Sequence, residues 1–273
     1  MEGSTLRFVP FACCVLAVAA RAAEPATVQA GWEELSQRHA NQAGEVFATV
    51  AANDPQVREA QLGEAVSLLS AQPGTPGKIA AAEQILEGLR AAAPADDAGI
   101  AASYYLARIH QLQDGPPGRP AAVAGYRALI AAHPDSFYAQ LAAPKLALLL
   151  LFDDVPRDEW DRREAEIETL IGHLATPESR RDTRLVLASA LIKLRRDHAR
   201  AYPLLVACLE SDLVVRMPHL NRLLLQAAES AAALGRPGEA AAYYVRFLMA
   251  FPHDSKADEV GRRIAALNRE ARP

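Results

Sequence analysis

Residues 234–255 read LGRPGEAAAYYVRFLMAFPHDS, and the spacing inside this stretch decides the fold. Ala240 and Tyr244 stand four apart, so on a helix they share one face. Pro252, eight residues further on, cannot continue that helix. The small Ala lets two helices approach closely, the bulky residue one turn later fills the gap, and the Pro closes the unit. Just upstream, Gly235 sits where a first helix would end and Pro237 where a second would open, which makes residues 235–239 a turn between antiparallel helices.

The same spacing recurs along the chain. Ala43, Phe47 and Pro55 form one set, Ala82, Leu86 and Pro94 a second, and Ala122, Tyr126 and Pro134 a third. Two weaker units follow, Ala165 with Thr169 and Pro177, then Ala201 with Leu205 and Leu213, where the Pro is missing. The six Ala positions advance by 39, 40, 43, 36 and 39 residues. A period near forty in a helix-forming composition means stacked helical hairpins. Composition agrees: 57 Ala and 34 Leu against only 25 Val and Ile favour helices over strands.

The expected fold is therefore all-α, an α-solenoid of about six hairpins. They pair 26–38 with 41–52, 55–71 with 79–92, 96–113 with 120–132, 136–152 with 158–174, 178–194 with 197–210, and 217–234 with 238–250. A helix over about 255–269 ends the stack, opened by a capping box at Ser255 and Asp258, with Ala257, Val260, Ile264 and Leu267 as its apolar stripe.

These residues resemble the tetratricopeptide repeat (TPR) family, whose unit of about 34 residues carries a small Ala, an aromatic and a Pro at these relative positions. The resemblance is good in four units and poor in two. It departs in its longer period and in lacking the early Trp and Tyr of the family's first helix. Residues 126–136 (YRALIAAHPDS) and 244–255 also look like periplasmic TPR proteins of the β-barrel-assembly and Tol–Pal machineries. The resemblance implies a non-enzymatic scaffold whose first helices line a concave groove for a protein or peptide partner. Tyr104, Arg108, Lys145, Arg184, Arg222 and Glu229 lie on those helices and are the candidate groove residues. A carboxylate clamp of the family's Asn and Lys type is disfavoured, since the chain has four Asn and only Asn221 is near a first helix.

Residues 1–22 read as a secretory signal peptide. Arg7 precedes a 13-residue apolar run, Phe8–Ala20, too short to span about 30 Å of hydrocarbon. Ala20-Arg21-Ala22 offers small residues for cleavage before Ala23, with cleavage after Ala20 as the alternative. The expected mature chain, 23–273, is a single exported domain in a Gram-negative type envelope, meeting a membrane only through a partner. Cys13 and Cys14 lie in the signal and lack a lipobox, which leaves Cys208 as a core residue without a disulfide partner.

Chemical motifs are scarce. Gly74-Thr75-Pro76-Gly77-Lys78 lacks the flanking residues of a phosphate loop and reads as an inter-helix turn. The acidic run 158–166 reads as a solvated helix face steadied by Glu159 and Arg163, four apart. Glu229-Ser230 shares a dipeptide with lytic transglycosylases but not the segment that follows it. No catalytic, cofactor-binding or metal-ligating set is expected, and a net charge of −4 argues against nucleic acid. Two alternatives stay open: a cell-wall glycan or peptide binder or unrecognised enzyme, and a structural subunit of a larger envelope complex.

The repeat register is tested by stability. Tyr244→Ala should cost roughly 3–5 kcal/mol and Ala240→Leu about 1–3 kcal/mol by overpacking. Thermal melts indistinguishable from the parent for both would mean that the register is wrong.

Overall fold

A computed structural model of the chain describes residues 27–112, 118–152, 156–211 and 217–270; the signal-peptide segment and Leu213 lie outside them. Among the described residues there are thirteen α-helices: α1 (Val28–Ser36), α2 (Ala40–Ala48), α3 (Val57–Ser70), α4 (Pro76–Ala92), α5 (Asp97–Leu112), α6 (Gly118–Ala132), α7 (Phe137–Phe152), α8 (Arg157–His173), α9 (Pro177–Ala190), α10 (His198–Glu210), α11 (Met217–Ala233), α12 (Pro237–Ala250) and α13 (Ala257–Glu270). A π-helical turn, Leu191–Arg195, extends α9. Each helix packs on the next, so the fold is a two-layered α-solenoid whose core runs as a strip between the layers.

Local chemistry sets the helix ends. Thr27, Thr75, Thr176 and Asp197 each accept a backbone N–H from the first turn of the helix they precede, and Pro76, Pro177 and Pro237 sit at helix starts where no N–H is needed. Asp96 Oδ1 accepts from Gly99 N at 2.7 Å and Ser136 Oγ from Ala139 N at 3.1 Å, which caps α5 and α7. Gly235 has φ +69°, and Arg236 N donates to Ala231 O at 2.9 Å, the closed geometry of a Schellman turn. At α13 the expected capping box is displaced: the helix opens at Ala257, one residue later than a Ser255 cap requires, and Asp254 Oδ1 takes the Lys256 N–H at 2.9 Å in the turn before it.

The repeat residues fall where the layers meet. Ala43, Ala82, Ala122, Ala201 and Ala240 are fully buried, and their partners Phe47, Leu86, Tyr126, Leu205 and Tyr244 are at most 2% exposed. Pro55, Pro94, Pro134 and Pro252 sit exposed in the turns after α2, α4, α6 and α12. Phe47 illustrates the fit, since its ring lies against Gly31 of α1 and Gly63 of α3, where a Cβ on either would collide with it.

The fourth unit departs from its expected register. Ala165 and Thr169 are exposed, and Pro177 opens α9 instead of closing α8. In α2, α10 and α12 the small and bulky residues are the fourth and eighth of the helix; in α8 these positions hold Trp160 and Glu164, both buried, with Ile167 below. The run 158–166 is thus not a wholly solvated face, although Glu159 does pair with Arg163 at 2.9 Å. Trp160 Nε1 donates to Glu164 Oε2 at 2.8 Å, while Arg200 Nη2 lies 2.6 Å from Glu164 Oε1 and 2.7 Å from Glu168 Oε1. A Trp where its counterparts have Ala holds α8 off its neighbours. Accordingly α8 touches α7 and α9 only lightly, and α7 and α9 meet directly along much more of their length than α3 and α5 or α5 and α7 do.

Glu164→Ala should strand the buried indole N–H and cost roughly 1–3 kcal/mol, whereas Glu164→Gln keeps an acceptor and costs less. The comparison is made by urea denaturation; equal midpoints for parent and Glu164→Ala would contradict the arrangement of α8.

Candidate binding face

The odd-numbered helices touch one another side by side, α1 with α3, α3 with α5, α5 with α7 and α7 with α9. The even-numbered helices are instead spanned by long side chains. Arg127 of α6 reaches Glu166 of α8 through two 2.7 Å bonds, Arg200 of α10 reaches back to Glu164 and Glu168 of α8, and Tyr202 of α10 donates to Glu239 of α12. In a curved two-layer stack the layer with the closer spacing is the inner one, so the odd-numbered helices form the concave side.

Two stripes stand next to each other there. On α5 they are Tyr105, Arg108 and Leu112, at helical spacings of three and four; on α7 they are Tyr138, Leu141, Lys145 and Leu148. Leu112 is 69% exposed, Leu141 36% and Leu148 42%. Tyr105 and Tyr138 are half-buried with ring centroids 6.0 Å apart, and both rest on Tyr104, at 5.3 Å and 5.6 Å. Burial, with neighbouring phenols adding to it, pushes the Tyr105 hydroxyl up to about 12, so it stays protonated across the neutral range.

The cations sit in the middle of the stripes. Arg108 Nη1 donates to Gln111 Oε1 at 2.7 Å, and the same oxygen accepts the Tyr126 hydroxyl at 2.7 Å, so a core ring fixes the amide that orients the guanidinium. Half-burial draws the Lys145 ammonium below the usual lysine range, repulsion from Arg108 adds to this, and Asp182 of α9 opposes it. Asp182 is itself engaged by Arg181 Nε at 2.8 Å. Among the described residues Lys145 makes no hydrogen bond or ion pair, and Arg108 has no carboxylate partner.

The six groove residues expected from the sequence therefore divide. Arg108 and Lys145 come together on the inner face. Tyr104 lies beneath it, only 8% exposed, as core under the two outer tyrosines. Arg184 is half-buried, with its charge felt by the Cys208 thiol of α10. Arg222 is exposed on α11, away from the pair. Glu229 is engaged by Arg263 of α13 at 2.9 Å, which also bonds Tyr244 and Glu259, so it ties α11 to α13. Ser230 beside it is buried, 3.1 Å from His198 Nδ1. Sequence reading missed Tyr105, Tyr138, Leu112, Leu141 and Leu148. The available signal was α7 itself, FYAQLAAPKLALLLLF, too apolar to be covered on every side in a two-layered stack.

An open depression beside α10 is lined mainly by apolar side chains, with Glu210 and Arg236 as its charged groups, and it brings no two carboxylates together. Among the described residues no three His, Cys, Asp or Glu side chains are placed to share a metal ion, and no helix is long and apolar enough to cross a membrane.

The class of protein follows from this geometry: the chain has the fold of the tetratricopeptide repeat proteins. No protein-family model and no curated protein sequence matches it. Solved structures do match in fold. PilF of Pseudomonas aeruginosa superposes with a TM-score of 0.59 at 14% identity, over 86% of this chain and 95% of that one. The C-terminal part of a TPR repeat-containing protein from Cytophaga hutchinsonii gives a TM-score of 0.56 at 16% identity, over 90% of this chain and 97% of its own.

Cys208 is 1% exposed, its Sγ donates to Arg181 O at 3.6 Å, and burial pushes its thiol up to about 11. The chain 23–273, whose single cysteine is Cys208, should resist maleimide at neutral pH and react promptly in denaturant, as followed by mass spectrometry; fast native labelling would contradict a core role.

Proposed function

We propose that the chain is a non-enzymatic scaffold that holds a protein or peptide partner across the concave face of α5 and α7, and that it works as an exported, soluble adaptor in cell-envelope assembly. The TPR-type fold supports a role in protein–protein interaction. The observation that carries the reading is the set of exposed leucines, Leu112, Leu141 and Leu148, gathered on the inner layer next to unpaired cations. An apolar patch with charge at its centre on a concave surface marks an interaction site. Export rests on residues 1–22, and the envelope role on the likeness of residues 126–136 and 244–255 to periplasmic TPR proteins.

A photo-crosslinking amino acid placed at Leu148, on the inner face, or at Gln84, exposed on α4 in the outer layer, tests the binding reading in the native cell. A defined protein adduct is expected from Leu148 and not from Gln84. Equal adducts at both positions, or none at Leu148, would oppose a groove-binding scaffold, and a glycan adduct would favour the cell-wall binder. For export, osmotic-shock fractionation should recover a chain beginning at Ala23 or Arg21; retention of Met1 in the cytoplasmic fraction would contradict it.

A further inference from the structure

The chemistry of the α5–α7 face narrows the partner, on the assumption that the face is a binding groove. We infer that it takes an acidic amphipathic helix, one that presents an apolar residue, a carboxylate and an apolar residue at positions i, i+4 and i+7.

The charge pattern comes first. The chain is net negative, and Arg127 and Arg200 of the outer layer are bound by carboxylates of the neighbouring repeat. Arg108 and Lys145 on the inner layer are not. They sit close enough to repel each other, and Lys145 is half-buried with no hydrogen-bond acceptor. Partial desolvation of an ammonium beside a guanidinium is unfavourable unless an anion arrives. Asp182, the acid whose charge reaches Lys145, is already engaged by Arg181. A carboxylate brought in by a partner would meet both cations, with the guanidinium already oriented through Gln111 and Tyr126.

The apolar pattern sets the form of the ligand. On α5, Tyr105 and Leu112 bracket Arg108; on α7, Leu141 and Leu148 bracket Lys145. In both helices the flanking residues are seven apart, about 10 Å along the axis at 1.5 Å per residue. A docked helix with the same repeat places two apolar side chains against the flanks and one carboxylate between them, the helix-in-groove mode of recognition. Along the same layer, Trp32 Nε1 donates to Glu59 Oε1 at 2.9 Å, and the Tyr138 phenol, raised first by burial, is raised further by Tyr104, Asp97 and Glu59, so acidic groups border the face on its N-terminal side. An anionic helix that strays in that direction meets like charge, which confines its carboxylate to the Arg108–Lys145 pair.

The test uses a fluorescein-labelled helical peptide of 18 residues with Leu, Glu and Leu at i, i+4 and i+7 on one face, titrated with the full chain by anisotropy. Matched peptides carry Gln or Lys in place of the Glu. The Glu peptide is expected to bind about 10-fold more tightly than the Gln peptide, as for one charge-assisted contact. Lys145→Met should reduce that preference and the Lys145→Met Arg108→Met double variant erase it, Lys145→Glu should shift it to the Lys peptide, and Leu148→Ser should weaken all three peptides alike. Circular dichroism melts confirm that each variant is folded. Equal binding of the Glu and Gln peptides overturns the inference, as does a Glu preference that survives in the Lys145→Met Arg108→Met double variant. Failure of every peptide to bind also overturns it, while leaving the scaffold reading to be judged by the Leu148 crosslink.

Discussion

Everything in this structure depends on how closely the two layers can approach, and one side chain per hairpin sets that distance. Where the position is Ala, as at Ala43, Ala82, Ala122, Ala201 and Ala240, the side chain vanishes into the interface and the residue one turn on fills the space beside it. Phe47 shows how little slack remains, because two neighbouring helices need Gly against its ring. In α8 the volumes are exchanged, with Trp160 at the approach position and Glu164 beyond it. The indole keeps α8 away, the carboxylate accepts the indole N–H, and α7 and α9 close on each other instead. The irregular unit is thus a second solution to the same packing problem, with a buried polar pair where the others have a ring or a leucine.

Close approach in one layer implies separation in the other. From α1 to α9 the odd-numbered helices make direct contact, whereas the even-numbered helices from α6 to α12 are joined by side chains long enough to cross the gap between them. Arg127 and Glu166, Arg200 and Glu168, and Tyr202 and Glu239 are 39, 32 and 37 positions apart in the chain, close to one repeat in each case. Arg58 with Asp96 and Arg263 with Glu229 tie neighbouring repeats in the same manner. Exposed pairs of this kind contribute little each, typically under about 1 kcal/mol, so they set the orientation of neighbouring hairpins more than their stability.

The same division separates structural charge from available charge. Arg127 and Arg200 on the outer seams are matched by acids a repeat away, and Glu229, which lies on an odd-numbered helix, is likewise used to attach α13. Arg108 and Lys145 escape such matching because α7, FYAQLAAPKLALLLLF, carries no acidic residue to meet them. Leu146, Leu149, Leu150 and Leu151 are buried against its neighbours, while Leu141 and Leu148 remain open.

The sequence by itself determined the hairpins, their order and most of the core, because Ala, a bulky residue and Pro at fixed offsets have a helical meaning that needs no partner. It also placed Arg108 and Lys145 on first helices. It misread α8, where Ala165 and Pro177 matched the offsets by position while Trp160 and Glu164 did the packing; an acidic helix looks solvated until its neighbours show which face they cover. For the same reason it did not show that Tyr104 lies under other rings or that Glu229 meets Arg263 from thirty-four residues away. Only the tertiary structure decided which side of each first helix stays open. Periodicity fixes the angles between side chains on one helix, but exposure depends on where the adjacent helices lie, and that is set by contacts between residues a full repeat apart.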